Sequence, residues 1–140
     1  MRLAEYLQEE SLDFARLSKP AQRVAIARDV LKLVRGGFAK PTHSIYMDKH
    51  TIEAGPENVR VRPCQACALG CMFLAVALKR PGLLLMVGRP NLELRRYFTE
   101  RQLAAIEEAF EEDFRKDSRR ILREIMNNII KNKGTFVPCD

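Results

Sequence analysis

Cys64-Gln-Ala-Cys67-Ala-Leu-Gly-Cys71-Met-Phe-Leu-Ala-Val-Ala-Leu78 is the most apolar stretch of the 140-residue chain and gathers three of its four cysteines. Cys64, Cys67, Cys71, Leu74 and Leu78 follow one another at steps of three and four, which keeps them on one face of an α-helix. The spacing therefore predicts a single helix in which the cysteines extend a leucine stripe. Free cysteine behaves as a small apolar side chain and is often buried, so packing alone accounts for the cluster.

Two sharper chemistries fit the same letters. Cys64 and Cys67 have the spacing that opens many tetrahedral zinc sites, with Cys71 as a third ligand and Cys139, His43 or His50 as a fourth from far along the chain. Alternatively, Cys64 follows Pro63 at an expected helix start, where unpaired amides lower a thiol pKa, and His43 or His50 would serve as its base. No second paired knuckle supports zinc, and nothing in the histidine spacing supports a nucleophile. Packing is favoured, with no cofactor; zinc or a reactive thiol is the alternative.

Outward from this segment the chain reads as mainly α: a compact bundle of about five or six helices with a long irregular loop. Its length fits one domain spanning 1–140, large enough to bury a core without disulfides. A first helix is expected from Leu3 to about Leu17. A second begins at Ser18 or Lys19 before Pro20, carries Val24, Ile26, Ala27, Val30, Leu31 and Val34, and stops at Gly36-Gly37. Residues 38–63 contain three prolines and both histidines and read as irregular chain, with short strands at Ser44 to Met47 and Asn58 to Arg62.

Leu83 to Val87 is a separate buried element, and Leu92 to Phe98 a helical turn or two. Thr99-Glu-Arg-Gln102 fits a capping box opening a helix through Leu103, Ile106, Ala109, Phe110 and Phe114. Asp117 or Ser118 caps the last helix, whose Ile121, Leu122, Ile125, Met126, Ile129 and Ile130 form an apolar band that Gly134 closes. The cysteine helix is expected at the centre with this last helix packed on it. Thr135 to Pro138 is apolar enough to fold back on the core.

The net charge is +6 and the isoelectric point about 9.4, which favours an acidic partner. The charge is spread evenly along the chain, with no basic tail or arm. Arg115, Lys116, Arg119, Arg120 and Arg123 are the densest basic group, and a nucleic-acid binder would use them. Glu111 and Glu112 stand four residues before Arg115 and Lys116, the order that suits helical ion pairs. Arg95, Arg96 and Tyr97 form a lesser group of residue types that carry interface hot spots. Glu107, Glu108, Glu111, Glu112 and Asp113 read as the solvated side of a helix. No phosphate-cradling glycine loop, nucleophile elbow or His-Glu metal helix is present, and binding is favoured over catalysis.

No apolar stretch reaches the ~18–20 residues of a spanning helix, and the acidic first ten residues do not resemble a secretory leader. A cytoplasmic protein with reduced thiols is expected.

Cys67-Ala-Leu-Gly70 opening an apolar helix, together with Asn127-Asn-Ile-Ile-Lys-Asn-Lys-Gly-Thr-Phe-Val-Pro138 and the acidic Gln102 to Glu111, resembles a group of small uncharacterised proteins of bacteriophages and bacteria. The resemblance covers well under half the chain and implies phage or prophage origin, not a reaction. In that group the position of Cys71 is commonly alanine, which speaks for packing over ligation. The function expected on these grounds is non-catalytic: a phage-encoded interaction protein in the bacterial cytoplasm. It would bind a host protein or complex and interfere with a defence or regulatory assembly.

Overall fold

Ser18 opens the helix that the sequence places second, its hydroxyl accepting from the Ala21 amide at 3.4 Å; this helix, α1 among the described residues, runs over Lys19–Arg35. At the far end Gly37 takes a φ of +77° and donates to the Val34 carbonyl, while Phe38 donates to Leu33. This paired closure satisfies carbonyls that the last turn leaves open, and glycine is the residue that enters the left-handed region without cost. Both ends of α1 thus fall where Pro20 and Gly36-Gly37 predict.

The structure, a computed structural model, describes residues 14–42, 64–77, 93–112 and 117–138. After α1, β1 (Ala39–Pro41) pairs in parallel with β2 (Cys64–Ala66), Ala39 opposite Cys64 and Pro41 opposite Ala66. Then come α2 (Ala68–Ala77), α3 (Glu100–Glu111) and α4 (Ser118–Lys131). Four helices are found among the described residues, rather than the five or six expected. The fold is mainly helical, as the periodicity indicates.

The expected 3–17 helix lies almost wholly outside the described residues, as do the strands at 44–47 and 58–62 and the element at 83–87. Phe14 is buried, and Leu17, at the expected end of that helix, is 40% exposed. Of the expected Leu92 to Phe98 turn, Leu92 lies outside the described residues, and Glu93 and Leu94 are helical before the chain turns.

The largest correction concerns the opening stretch. Cys64 is in β2, Cys67 precedes α2, and the helix starts at Ala68, so Cys64 does not share the stripe of Cys71 and Leu74. All ten residues of α2 are buried. A helix apolar on every side needs neighbours all round.

Successive described helices pack on each other, α1 on α2, α2 on α3 and α3 on α4, and α4 closes back on α1 and β1. The last helix therefore has α1 and α3 as its main helical neighbours, not the cysteine helix as expected. Arg23, early in α1, reaches Gly134, just beyond α4, while Leu31 and Val34 share a groove with Leu122. The two helices are antiparallel. Gln102 of early α3 likewise meets Phe136 beyond α4, so α3 and α4 form an antiparallel hairpin.

Candidate functional site: two grooves flanking the last helix

α4 has a wide apolar band, with Ile121, Leu122, Ile125, Met126 and Ile129 buried. Because that band serves two neighbours, a groove opens on each side of the helix, and the two differ in charge.

The α3–α4 groove has a volume of about 360 Å³. Its floor is Ala105 and Ala109 from α3 with Ile121 and Ile125 from α4, and its rim carries Glu108, Glu112 and Glu124. Glu124 pairs with Arg120 one turn back, 3.2 Å away, in an exposed i,i+4 pair. Glu108 and Glu112 are exposed and make no ion pair among the described residues. Phe136 and Pro138 wall one side. An acidic rim over an apolar floor is a local reversal in a chain of net charge +6.

The tail that walls this groove is fixed by two side-chain amides. Gln102 pairs with the Phe136 backbone through both ends of its carboxamide, and Asn128 does the same for Val137, at 2.7 and 2.9 Å. Successive residues of extended chain turn their N–H and C=O groups to opposite sides. The tail is therefore gripped by α3 on one side and α4 on the other. The expected capping box is thereby half made: Thr99 Oγ1 accepts from the Gln102 amide at 3.1 Å, but the glutamine side chain goes to the tail.

The α1–α4 groove is smaller, about 180 Å³. Leu31, Val34 and Leu122 form its floor, and Arg35, Arg119 and Arg123 line it from exposed positions. Arg120 of the same basic cluster faces away and pairs with Glu124. Arg115 and Lys116 lie outside the described residues. α3 ends at Glu111, so the ion-pair order drawn from a longer helix does not apply within it.

Arg95 pairs with Glu100, and Arg96 with Glu93 at 3.3 Å. Tyr97 is 9% exposed, its ring centroid 5.5 Å from that of Phe14 and 5.2 Å from Lys19 Nζ. Its carbonyl accepts from Arg23 at 3.1 Å, and the same guanidinium reaches the Gly134 carbonyl at 2.7 Å. Tyr97 is thus part of the joint that seats α1 on the turns flanking α3 and α4.

Cys67 and Cys71 are both buried. Cys71 Sγ donates to the Ala66 carbonyl at 3.7 Å, a local bond at the strand-to-helix turn. Burial pushes the Cys67 thiol above its ordinary value; the Gly70 and Leu69 amides oppose this, and Glu111 and Glu107 add to the rise. A helix start can activate a thiol, but here desolvation outweighs the amides. The side chain of Cys64 and all of His43, His50 and Cys139 lie outside the described residues. Among the described residues no group of three or more His, Cys, Asp or Glu is placed to hold a metal.

Arg35 was not singled out by sequence reasoning, because nothing in the letters links position 35 to position 119. Glu108 and Glu112 were visible only as a solvated face. Asp29, 1% exposed in mid-α1, also went unremarked, although a carboxylate amid buried Ile26, Ala27, Val30 and Leu33 is itself a signal. No family model, curated protein or solved structure matches the chain. No helix among the described residues is long and apolar enough to cross a membrane.

Proposed function

We propose that the protein is a non-catalytic interaction protein whose α3–α4 groove receives a basic amphipathic helix of a partner protein. The observation that supports this is the acidic rim of Glu108, Glu112 and Glu124 above the aliphatic floor, on a chain otherwise rich in positive charge. A helix with apolar anchors at i, i+3 and i+4 fits such a floor, and flanking lysines or arginines complement the rim. The groove's side chains offer carboxylates and apolar surface, the materials of recognition.

In its more concrete form, the protein is phage-encoded and occupies a surface of a bacterial defence or regulatory complex in the host cytoplasm. That form rests on the resemblance carried by Cys67 to Gly70 and Asn127 to Pro138. The zinc or reactive-thiol alternative draws little support from Cys67 and Cys71, which are buried and, for Cys67, held toward the protonated form.

The test uses two synthetic amphipathic peptides with the same leucine stripe, one with lysine and one with glutamate on the polar face. Titration followed by NMR should move the resonances of Ala105, Ala109 and Ile125 with the lysine peptide only. E108K/E112K should abolish that preference. Equal response to both peptides, or shifts elsewhere, would overturn the reading.

A further inference from the structure

We infer that the α1–α4 groove is a phosphate-binding site for nucleic acid, formed by Arg35, Arg119 and Arg123 over the apolar floor of Leu31, Val34 and Leu122. This inference stands apart from the protein-partner groove, since it uses the opposite flank of α4 and the opposite charge.

Three observations carry it. The first is convergence: Arg35 ends α1, Arg119 and Arg123 lie in the first half of α4, and the antiparallel packing of the two helices brings all three to one groove. The second is their freedom. All three are exposed, and none has a carboxylate partner among the described residues, unlike Arg95, Arg96 and Arg120. Asp117 caps α4 through the Arg119 backbone amide at 3.1 Å. The third is size. At about 180 Å³ the groove is smaller than the roughly 300–1,000 Å³ of small-molecule pockets, so it suits a group projecting from a larger molecule.

The chemistry selects phosphate. Guanidinium is planar, weakly hydrated and matches two oxygens of one phosphate at once, which lysine cannot do. The apolar floor beside it accepts the carbon face of a sugar or base. The overall charge of +6 draws a polyanion toward the protein from a distance. The basic site is thus a groove shared by two helices, with Arg35 in it and Arg120 outside it.

The experiment is fluorescence anisotropy of a labelled single-stranded oligonucleotide with the full chain, from about 50 to 200 mM salt. Wild type should bind at low salt and weaken steeply as salt rises. R35Q/R123Q, which keeps much of the aliphatic stems over the floor, should lose at least tenfold in affinity. Its plot of log affinity against log salt should be shallower by about 1.4, at ~0.7 per single-strand phosphate contact. R35Q alone should show about half that change in slope, which guards against a folding defect in the double variant. R120Q should bind like wild type. Absence of binding at low salt, an equal loss in R120Q, or equally strong competition by polyglutamate would each overturn the site.

Discussion

The carboxamide of Gln102 and the backbone of Phe136 form a two-point pair: Phe136 N–H donates to Oε1 at 2.6 Å, and Nε2 donates to the Phe136 carbonyl at 2.9 Å. Asn128 repeats the arrangement on Val137. Each amide behaves as a neighbouring strand would, although both side chains belong to helices. The tail is held by the start of one helix and the end of the next.

Gln102→Ala should therefore cost about 1–2 kcal/mol, the scale of losing such bonds and leaving backbone groups partly desolvated. The expected signature in urea is a lower midpoint with an unchanged slope. Gln102→Glu keeps the acceptor but turns a carboxylate oxygen toward the Phe136 carbonyl where Nε2 had donated, so it should cost at least as much as alanine at neutral pH. Asn128→Ala should add to Gln102→Ala less than its own single effect, because either change frees the same tail; a double-mutant cycle reads that coupling.

α4 ends with the glycine one place later than the turn asks. Lys133 has a φ of +55° and donates to Ile130, while Gly134, at φ +103°, donates to Ile129. The left-handed position that glycine ordinarily fills is thus occupied by lysine. Lys133→Gly should raise stability by about 1 kcal/mol, since left-handed backbone costs a side-chain residue roughly 1–2 kcal/mol. Gly134→Ala should do the reverse and more strongly. Its Cβ would lie 2.6 Å from the Pro20 carbonyl oxygen, in backbone that cannot yield without moving α1. Thermal melts of both variants check the opposite signs.

Arg23 bonds the carbonyls of Gly134 and Tyr97 from one guanidinium. Arg23→Lys keeps the charge but cannot span both acceptors, so it should destabilise the fold nearly as much as Arg23→Ala, by about 2 kcal/mol. A lysine variant as stable as wild type would mean that charge, not the fork, holds this joint.

For Cys67 the direction of the shift fixes the pH response. The folded thiol titrates above its ordinary value of 9.0, so between the two values the unfolded chain has released a proton that the folded chain retains. Stability from this group is fully present below pH ~9 and declines as pH rises through the raised folded value. Native Cys67 should react with alkylating reagents far more slowly at pH 8 than after denaturation. Rapid native labelling at Cys67 would instead indicate an accessible, activated thiol.

Helix limits were legible where a single side chain sets them. Ser18 with Pro20 and Gly36-Gly37 delimited α1, Thr99 opened α3, and Asp117 was one of two caps named for α4. The β1–β2 pair was not legible, because three residues are too few to show alternation and the partner strand lies beyond the loop. That same blind spot moved Cys64 from a helix to a strand. The grooves were hidden for a related reason: periodicity marks α4's apolar band, but which flank each charge lines depends on how α1 and α3 pack around it.

The closure of α1 on α4 also has a consequence during synthesis. Arg23 and Gly134 are 111 positions apart, so the first described helix to leave the ribosome is the one whose main partner leaves last. The entropic cost of closing so long a loop rises only slowly with length, about 0.6 kcal/mol per doubling, but the waiting time is set by translation. Until α4 emerges, Ile26, Val30 and Leu33, together with the apolar surface of α2, lack their full cover. A nascent chain stalled before residue 118 should be the form most prone to aggregate and most readily held by a chaperone.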